Sequence, residues 1–173
     1  KSVTYVVASD TDSIYIRLGE VVDKIFKDKS DTRKIVKVMD RFCEETIQPQ
    51  IDKSFDKLAK YVNAYEQKMI MKREVIANKG IWTAKKRYIL NVYNDEGVEL
   101  KQPKLKIMGI EAVKSSTPAP CRAKIKEALN IIMNDDEDTL IKFIENFRKE
   151  FKSLPPHEIA FPRSCNNLKK YSS

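Results

Sequence analysis

Thr4-Tyr5-Val6-Val7-Ala8-Ser9-Asp10-Thr11-Asp12-Ser13-Ile14-Tyr15-Ile16-Arg17-Leu18 is the stretch from which the rest of the chain is read. Val, Ile, Tyr and Thr dominate both flanks, so residues 3–18 are predicted to form a β-hairpin. Its turn carries two aspartates one residue apart. Strand alternation is expected to send both carboxylates to one face, where like charges repel unless a cation neutralises them. Mg²⁺ suits such a pair, because it takes carboxylate oxygens, waters and substrate phosphates. Asp-x-Asp is also the pattern of two turn-capping aspartates, and it lacks the further ligand and the glycine offset of an EF-hand loop.

Working outward, Ile35, Val38, Met39 and Phe42 recur at helical spacing after Ser30 and Asp31, either of which suits an N-cap. Pro49 is expected to kink or divide this helix, and Ile51, Phe55, Leu58 and Val62 continue its apolar stripe. Met69-Ile70-Met71 and Glu74-Val75-Ile76 read as the next strand, Asn78-Lys79-Gly80 as a turn, and Ile81 to Tyr93 as one long strand. Asn94-Asp95-Glu96-Gly97 reads as a hairpin turn and Leu105-Lys106-Ile107-Met108 as the returning strand. The sheet is expected to end near Gly109 to Glu111. A polar crossover, Lys114 to Pro120, then leads to two helices. One carries Ile125, Leu129, Ile132 and Met133; the other carries Leu140, Phe143, Ile144, Phe147 and Phe151. Asp135 to Asp138 give the second an acidic start, and Pro155-Pro156 stop it. The expected fold class is α+β: an antiparallel sheet with packed helices, followed by a helical segment.

Composition limits the function. Hydrophobic residues make up 42% of the 173, enough for a core. Thirty-three Lys and Arg against 25 Asp and Glu leave a formal charge of +8, which attracts polyanions, nucleic acid before anionic membrane. The three cysteines, Cys43, Cys121 and Cys165, are too widely spaced for a zinc pattern or a disulfide framework, and they point to a reducing compartment. No apolar run approaches the roughly 20 residues of a membrane span. The chain opens on Lys1-Ser2-Val3 without Met and ends in a polar stretch, so it is expected to be a piece of a longer polypeptide.

Further candidates lie downstream. Glu74 follows Lys72-Arg73 in an apolar strand; it is either a third acid for the hairpin or an exposed strand residue paired with a neighbouring cation. Lys85-Lys86-Arg87-Tyr88 places three cations in a row. In a continuous strand Lys86 and Tyr88 share one face and Lys85 and Arg87 the other. This is either a phosphate-binding ribbon, with Arg87 able to grip bidentately, or an edge strand guarded by lysines. Lys101, Lys104, Lys106 and Lys114 extend the basic track, and Ser115 and Ser116 can donate to phosphate. His157, the one histidine, follows Pro155-Pro156 with no partner spacing and reads as a surface loop residue.

Taken in order, Asp10-Thr11-Asp12-Ser13, Lys72-Arg73-Glu74, Trp82-Thr83-Ala84-Lys85-Lys86-Arg87-Tyr88, Lys104-Leu105-Lys106-Ile107-Met108-Gly109 and Lys114-Ser115-Ser116-Thr117-Pro118 resemble the family B DNA polymerases, most closely those of T-even-type bacteriophages. The resemblance covers essentially the whole chain. It implies that residues 1–110 are the C-terminal part of a polymerase palm and 111–173 the N-terminal part of its thumb. It implies that Asp10 and Asp12 belong to the catalytic centre with two Mg²⁺ ions, Asp12 as ligand and Asp10 beside it, and that Glu74 is an auxiliary acid. Thr11, Lys85, Lys86, Arg87, Tyr88, Lys106, Lys114, Ser115 and Ser116 would contact primer–template DNA. The implied partners are that DNA, a dNTP, the missing parts of the same polymerase and a sliding clamp, in the cytoplasm of an infected host cell. The chain alone would be inactive, because the family's other catalytic aspartate lies upstream. Three departures stand out: Ala8-Ser9 replace the family's Tyr-Gly, Lys72 replaces an Asp, and Ala77 to Gly80 shorten a Gly-rich loop. Two other readings stay open: a non-catalytic DNA-binding module with a degenerate palm, and a nucleotide-sugar transferase, against which the basic track argues.

Overall fold

The computed structural model describes residues 4–164 and 166–170. Cys165 and Val3 lie outside the described residues. Helices and antiparallel sheets are mixed, so the chain is α+β. Its contacts divide into two compact units, residues 1–78 with 91–104 and residues 79–90 with 105–173.

The first unit opens on β1 (Val6–Asp10) and β2 (Ser13–Ile16), an antiparallel pair in which Asp10 faces Ser13 and Ala8 faces Tyr15. The register shifts between Val6 and Ala8, a bulge that the Val-Val pair does not announce. The seven-residue helix α1 (Gly19–Ile25) follows, which the apolar spacing did not predict. Asp31 is the N-cap of α2 (Thr32–Phe42), accepting from the Lys34 N–H at 3.0 Å. Val36 and Met39 bury its inner face.

The expected break at Pro49 takes the form of a π-helical turn, Cys43–Ile47, that runs directly into α3 (Gln48–Tyr61). Proline offers no N–H and crowds the carbonyl one turn back, and a widened turn absorbs both defects without ending the helix. Asn63, at φ 54°, closes α3: the Ala64 N–H reaches the Ala59 carbonyl and the Asn63 N–H the Lys60 carbonyl. Burial raises the Cys43 thiol above its ordinary value, which suits a packing residue rather than a nucleophile.

A polar cluster the sequence reading did not anticipate joins three segments of this unit. Arg73 pairs with Asp40 of α2 and donates to the Asn94 Oδ1 at 2.9 Å. Asn94 donates to Asp40 and accepts from the Gly97 N–H. Asn94 is 3% exposed, so these bonds satisfy groups that water cannot reach.

The second sheet has three strands in the order β3 (Val75–Ala84), β4 (Arg87–Asp95), β5 (Val98–Met108). Several boundaries differ from the sequence reading: Met69-Ile70-Met71 lie outside any strand, and β5 begins at Val98, ahead of Leu105. Asn78-Lys79-Gly80 is interior strand, not a turn. The reason is close packing: a Cβ on Gly80 would stand 2.8 Å from the Trp82 ring and the Leu90 side chain. The long strand is instead broken at Lys85-Lys86, a two-residue hairpin turn with Lys86 at φ 60°. The turn at Glu96-Gly97 is as expected, with both residues left-handed.

In the second unit, Ile89, Ile110, Ala112 and Met133 form the buried core, with Leu105, Ile107, Ile125 and Leu129 packed on it. A 3₁₀ turn, Glu111–Val113, leads to α4 (Ala119–Asn134), α5 (Glu137–Ser153) and the short α6 (Pro156–Ile159). On α4 it is Ile131 that faces inward, while Ile132, predicted to, is 42% exposed. Asp136 caps α5 through the Thr139 N–H. Lys124 of α4 lies over the rings of Phe143 and Phe147 and pairs with Glu150. His157 sits in α6 rather than in a loop, and is exposed.

Gly109, at φ 67°, ends β5 against the Lys85-Lys86 turn; a Cβ there would collide with the Lys86 carbonyl oxygen and reach the Arg87 Cγ at 3.1 Å. Gly109→Ala combines left-handed strain with a backbone clash and is expected to cost about 1–3 kcal/mol of unfolding free energy in urea titrations. Gly19→Ala, where the added methyl meets nothing within 4 Å, is the control. Equal midpoints for the two variants would contradict the packing described.

Candidate functional site

The acidic candidates belong to the first unit. Asp10 is the last residue of β1, half-buried, and Asp12 lies in the two-residue turn, exposed. The alternation argument therefore does not apply to the pair. The turn, with Thr11 at φ 48°, orients Asp12, not the strand pleat. Thr11 Oγ1 donates to Asp10 Oδ1 at 3.3 Å, and Ser13 Oγ donates to the Asp10 carbonyl at 3.1 Å. Asp12 has no hydrogen bond or ion pair among the described residues, so its carboxylate is open to an external cation. Glu74 lies just before β3, exposed, and its carbonyl accepts from the Glu96 N–H at 2.6 Å. Among the described residues no three His, Cys, Asp or Glu side chains gather as a metal-binding group, so Glu74 does not complete one with Asp10 and Asp12.

The basic candidates Lys85, Lys86, Arg87, Tyr88, Lys106, Lys114, Ser115 and Ser116 fall in the second unit. Because Lys85 and Lys86 form the tip of the β3–β4 hairpin, they do not alternate with Arg87 and Tyr88 across a sheet; both lysines are exposed at the turn. Thr83 Oγ1 donates to the Arg87 carbonyl, and the Tyr88 ring lies 6.3 Å from that of Trp82. Lys106 is on β5 and half-buried. Ser115 and Ser116 are the exposed central residues of a turn closed by the Thr117 N–H on the Lys114 carbonyl at 3.1 Å.

Glu111 brings two of these cations together. Its Oε1 and Oε2 accept from Arg87 Nη2 at 2.7 and 2.6 Å, and Oε1 also accepts from Lys114 Nζ at 3.1 Å. The sequence reading missed Glu111. The one available signal was its i,i+3 spacing to Lys114; the contact with Arg87 spans 24 residues and needs the fold.

A family model described as divergent family B DNA polymerase matches residues 3–143. The chain belongs to the family B DNA polymerases. Two relatives, each named DNA-directed DNA polymerase, align with 96% of it. That of Escherichia phage RB69 is 40% identical over 176 residues, and that of Enterobacteria phage T4 is 35% identical over 179. The chain spans 20% of the length of each relative. The family B match takes in the Asp10-Thr11-Asp12 hairpin, the Lys85 to Tyr88 segment and Glu111 alike.

The Glu111 carboxyl is held below its ordinary value of 4.5, first by its own backbone N–H, then by Lys114 and the charge of Arg87, against partial loss of water. A carboxyl lowered on folding contributes stability above its unfolded value and loses it as pH falls through the folded one. An NMR titration of the Glu111 carboxyl carbon is thus expected to give a midpoint below 4.5, with the Arg87 and Lys114 side-chain signals moving at the same pH. A midpoint at or above 4.5 would exclude the contact.

Proposed function

We propose that this chain is the C-terminal palm and the beginning of the thumb of a template-directed DNA polymerase, with 1–110 in the palm and 111–173 in the thumb. The observation that carries the reading is the family match over a hairpin whose tip presents Asp12 without a partner among the described residues. In the reaction, a primer 3′-hydroxyl attacks the α-phosphate of a dNTP and pyrophosphate leaves. Asp12 and Asp10 offer hard carboxylate oxygens, the donors Mg²⁺ prefers, and two carboxylates match its habit of keeping sites for substrate phosphates. Mg²⁺ held by Asp12 and Asp10 would supply charge neutralisation for the phosphoryl transfer.

The chain's own residues position the rest. The Thr11 hydroxyl and the Ser13 hydroxyl hold the Asp10 side chain and backbone, so the turn keeps one shape. Glu74 serves as an auxiliary acid rather than a metal ligand. Lys85, Lys86, Arg87, Tyr88 and Lys106, with Lys114, Ser115 and Ser116, hold duplex DNA through its backbone and minor groove. Thr11 meets the primer end. Such contacts tolerate any sequence, because the minor groove presents a degenerate pattern. The complete enzyme works with a sliding clamp in the cytoplasm of an infected host cell. Among the described residues no helix is long and apolar enough to cross a membrane.

Two outcomes test this. In the intact polymerase that carries these residues, Asp12→Ala is expected to lower primer extension about 10³-fold, roughly 4 kcal/mol of transition-state stabilisation. Undiminished extension would leave a DNA-binding module with a degenerate palm in its place. The 173-residue chain alone, given Mg²⁺, dNTPs and a primed template, is expected to extend nothing, because a two-metal site needs carboxylates from a second palm motif. Robust extension by this chain would show that it holds a complete site.

A further inference from the structure

Arg87 and Lys114 are two of the cations that the duplex reading assigns to DNA, and both already have an anion. The Glu111 carboxylate sits between a guanidinium and an ammonium, its oxygens within 2.6–3.1 Å of both. Two phosphate oxygens would take the same donors in the same way. The backbone under Glu111 is anchored. Ile110 and Ala112 on either side are buried in the core, and the Lys114 N–H returns to the Glu111 carbonyl. Arg87 is anchored as well, its Cγ against Gly109. The charged ends are different: the three side chains are 40%, 46% and 46% exposed, so an incoming phosphate can reach them. An ion pair that open to water is weak and exchangeable. The lowered carboxyl keeps Glu111 ionised at neutral pH.

We infer, resting on the duplex-binding reading above, that Glu111 is an internal stand-in for phosphate. It keeps Arg87 and Lys114 aligned in the free protein, yields to a DNA phosphate on binding, and so lowers duplex affinity. It is a positioning residue that acts through two cations. The trio carries a net charge of +1 with Glu111 and +2 without its carboxylate. Removing that charge adds about one phosphate's worth of counterion release, a slope steeper by about 0.9 in log K against log salt. With affinity at 1 M salt unchanged, binding at about 0.1 M tightens roughly eightfold. A Glu111 that only held the fold together would give the reverse, weaker binding with no steeper slope. A grip moderated in this way favours sliding along the duplex backbone over tight arrest.

The test is fluorescence anisotropy of a labelled primer–template duplex with the intact polypeptide that carries these residues, across roughly 0.05–0.5 M salt. Glu111→Gln is expected to bind about eightfold more tightly near 0.1 M with the steeper slope. Glu111→Asp, which keeps the charge, is expected to retain the original slope. In an Arg87→Gln background the effect of Glu111→Gln is expected to shrink. Unaltered or weaker binding by Glu111→Gln, beside salt-dependent binding by the unmodified protein, overturns this inference and leaves the duplex reading standing. Absence of salt-dependent binding by the unmodified protein overturns both. Should Glu111→Gln lack a cooperative unfolding transition, arginine side-chain NMR of the unmodified protein carries the test. The Arg87 signals are expected to shift as duplex is added and the Glu111 contact is exchanged, and constancy of those signals overturns the inference.

Discussion

The backbone of Lys86 lies against Gly109, and the basic end of the second unit depends on that approach. Neither Lys85 nor Lys86 is a residue that favours a tight turn, and Lys86 holds a left-handed φ of 60°. A turn of this kind persists when packing determines it from outside. Gly109 supplies the packing, because the absence of a side chain and a φ of 67° let one backbone meet another. From that contact the rest follows in sequence. Arg87 starts β4 beside Gly109, its guanidinium turns to Glu111, and Glu111 reaches Lys114.

Both units handle charge by the same rule. Where a charged group is mostly buried, as Arg73 is, it is bonded to groups of its own chain, Asp40 and Asn94. Where it is open to water, as at Glu111, the pairing is exposed to solvent and contributes little to stability. Asp12 is at the far end of this range, exposed and without a partner among the described residues. The gradation separates charges bonded within the protein from charges that solvent ions can reach. It does so without reference to residue type, since Arg73 and Arg87 are the same amino acid, one mostly buried and one 40% exposed.

Much of the fold was legible in the sequence, and the misses have physical causes. Asp31 was readable as one of two candidate caps and Asp136 as part of an acidic helix start, because each acts on near neighbours. The Glu96-Gly97 turn was readable because Gly97 takes a positive φ without strain. Asn78-Lys79-Gly80 was misread because its glycine makes room for Trp82 and Leu90 rather than for a bend. Lys85-Lys86 was misread as strand because its turn is set by Gly109, more than twenty residues on. The site divided in the same way. Asp10, Asp12 and the basic residues were visible as motifs, while the Glu111 contacts and the Arg73 cluster were not, since each joins segments far apart in the chain.

The sequence by itself determined the α+β class, the family, the position of the Asp10-Thr11-Asp12 tip and the identity of the basic residues, because these rest on local propensity and on motifs in order along the chain. The tertiary structure alone decided which of those charges are bound to one another and which face water. Exposure and pairing depend on distances between remote segments, and no local pattern encodes them.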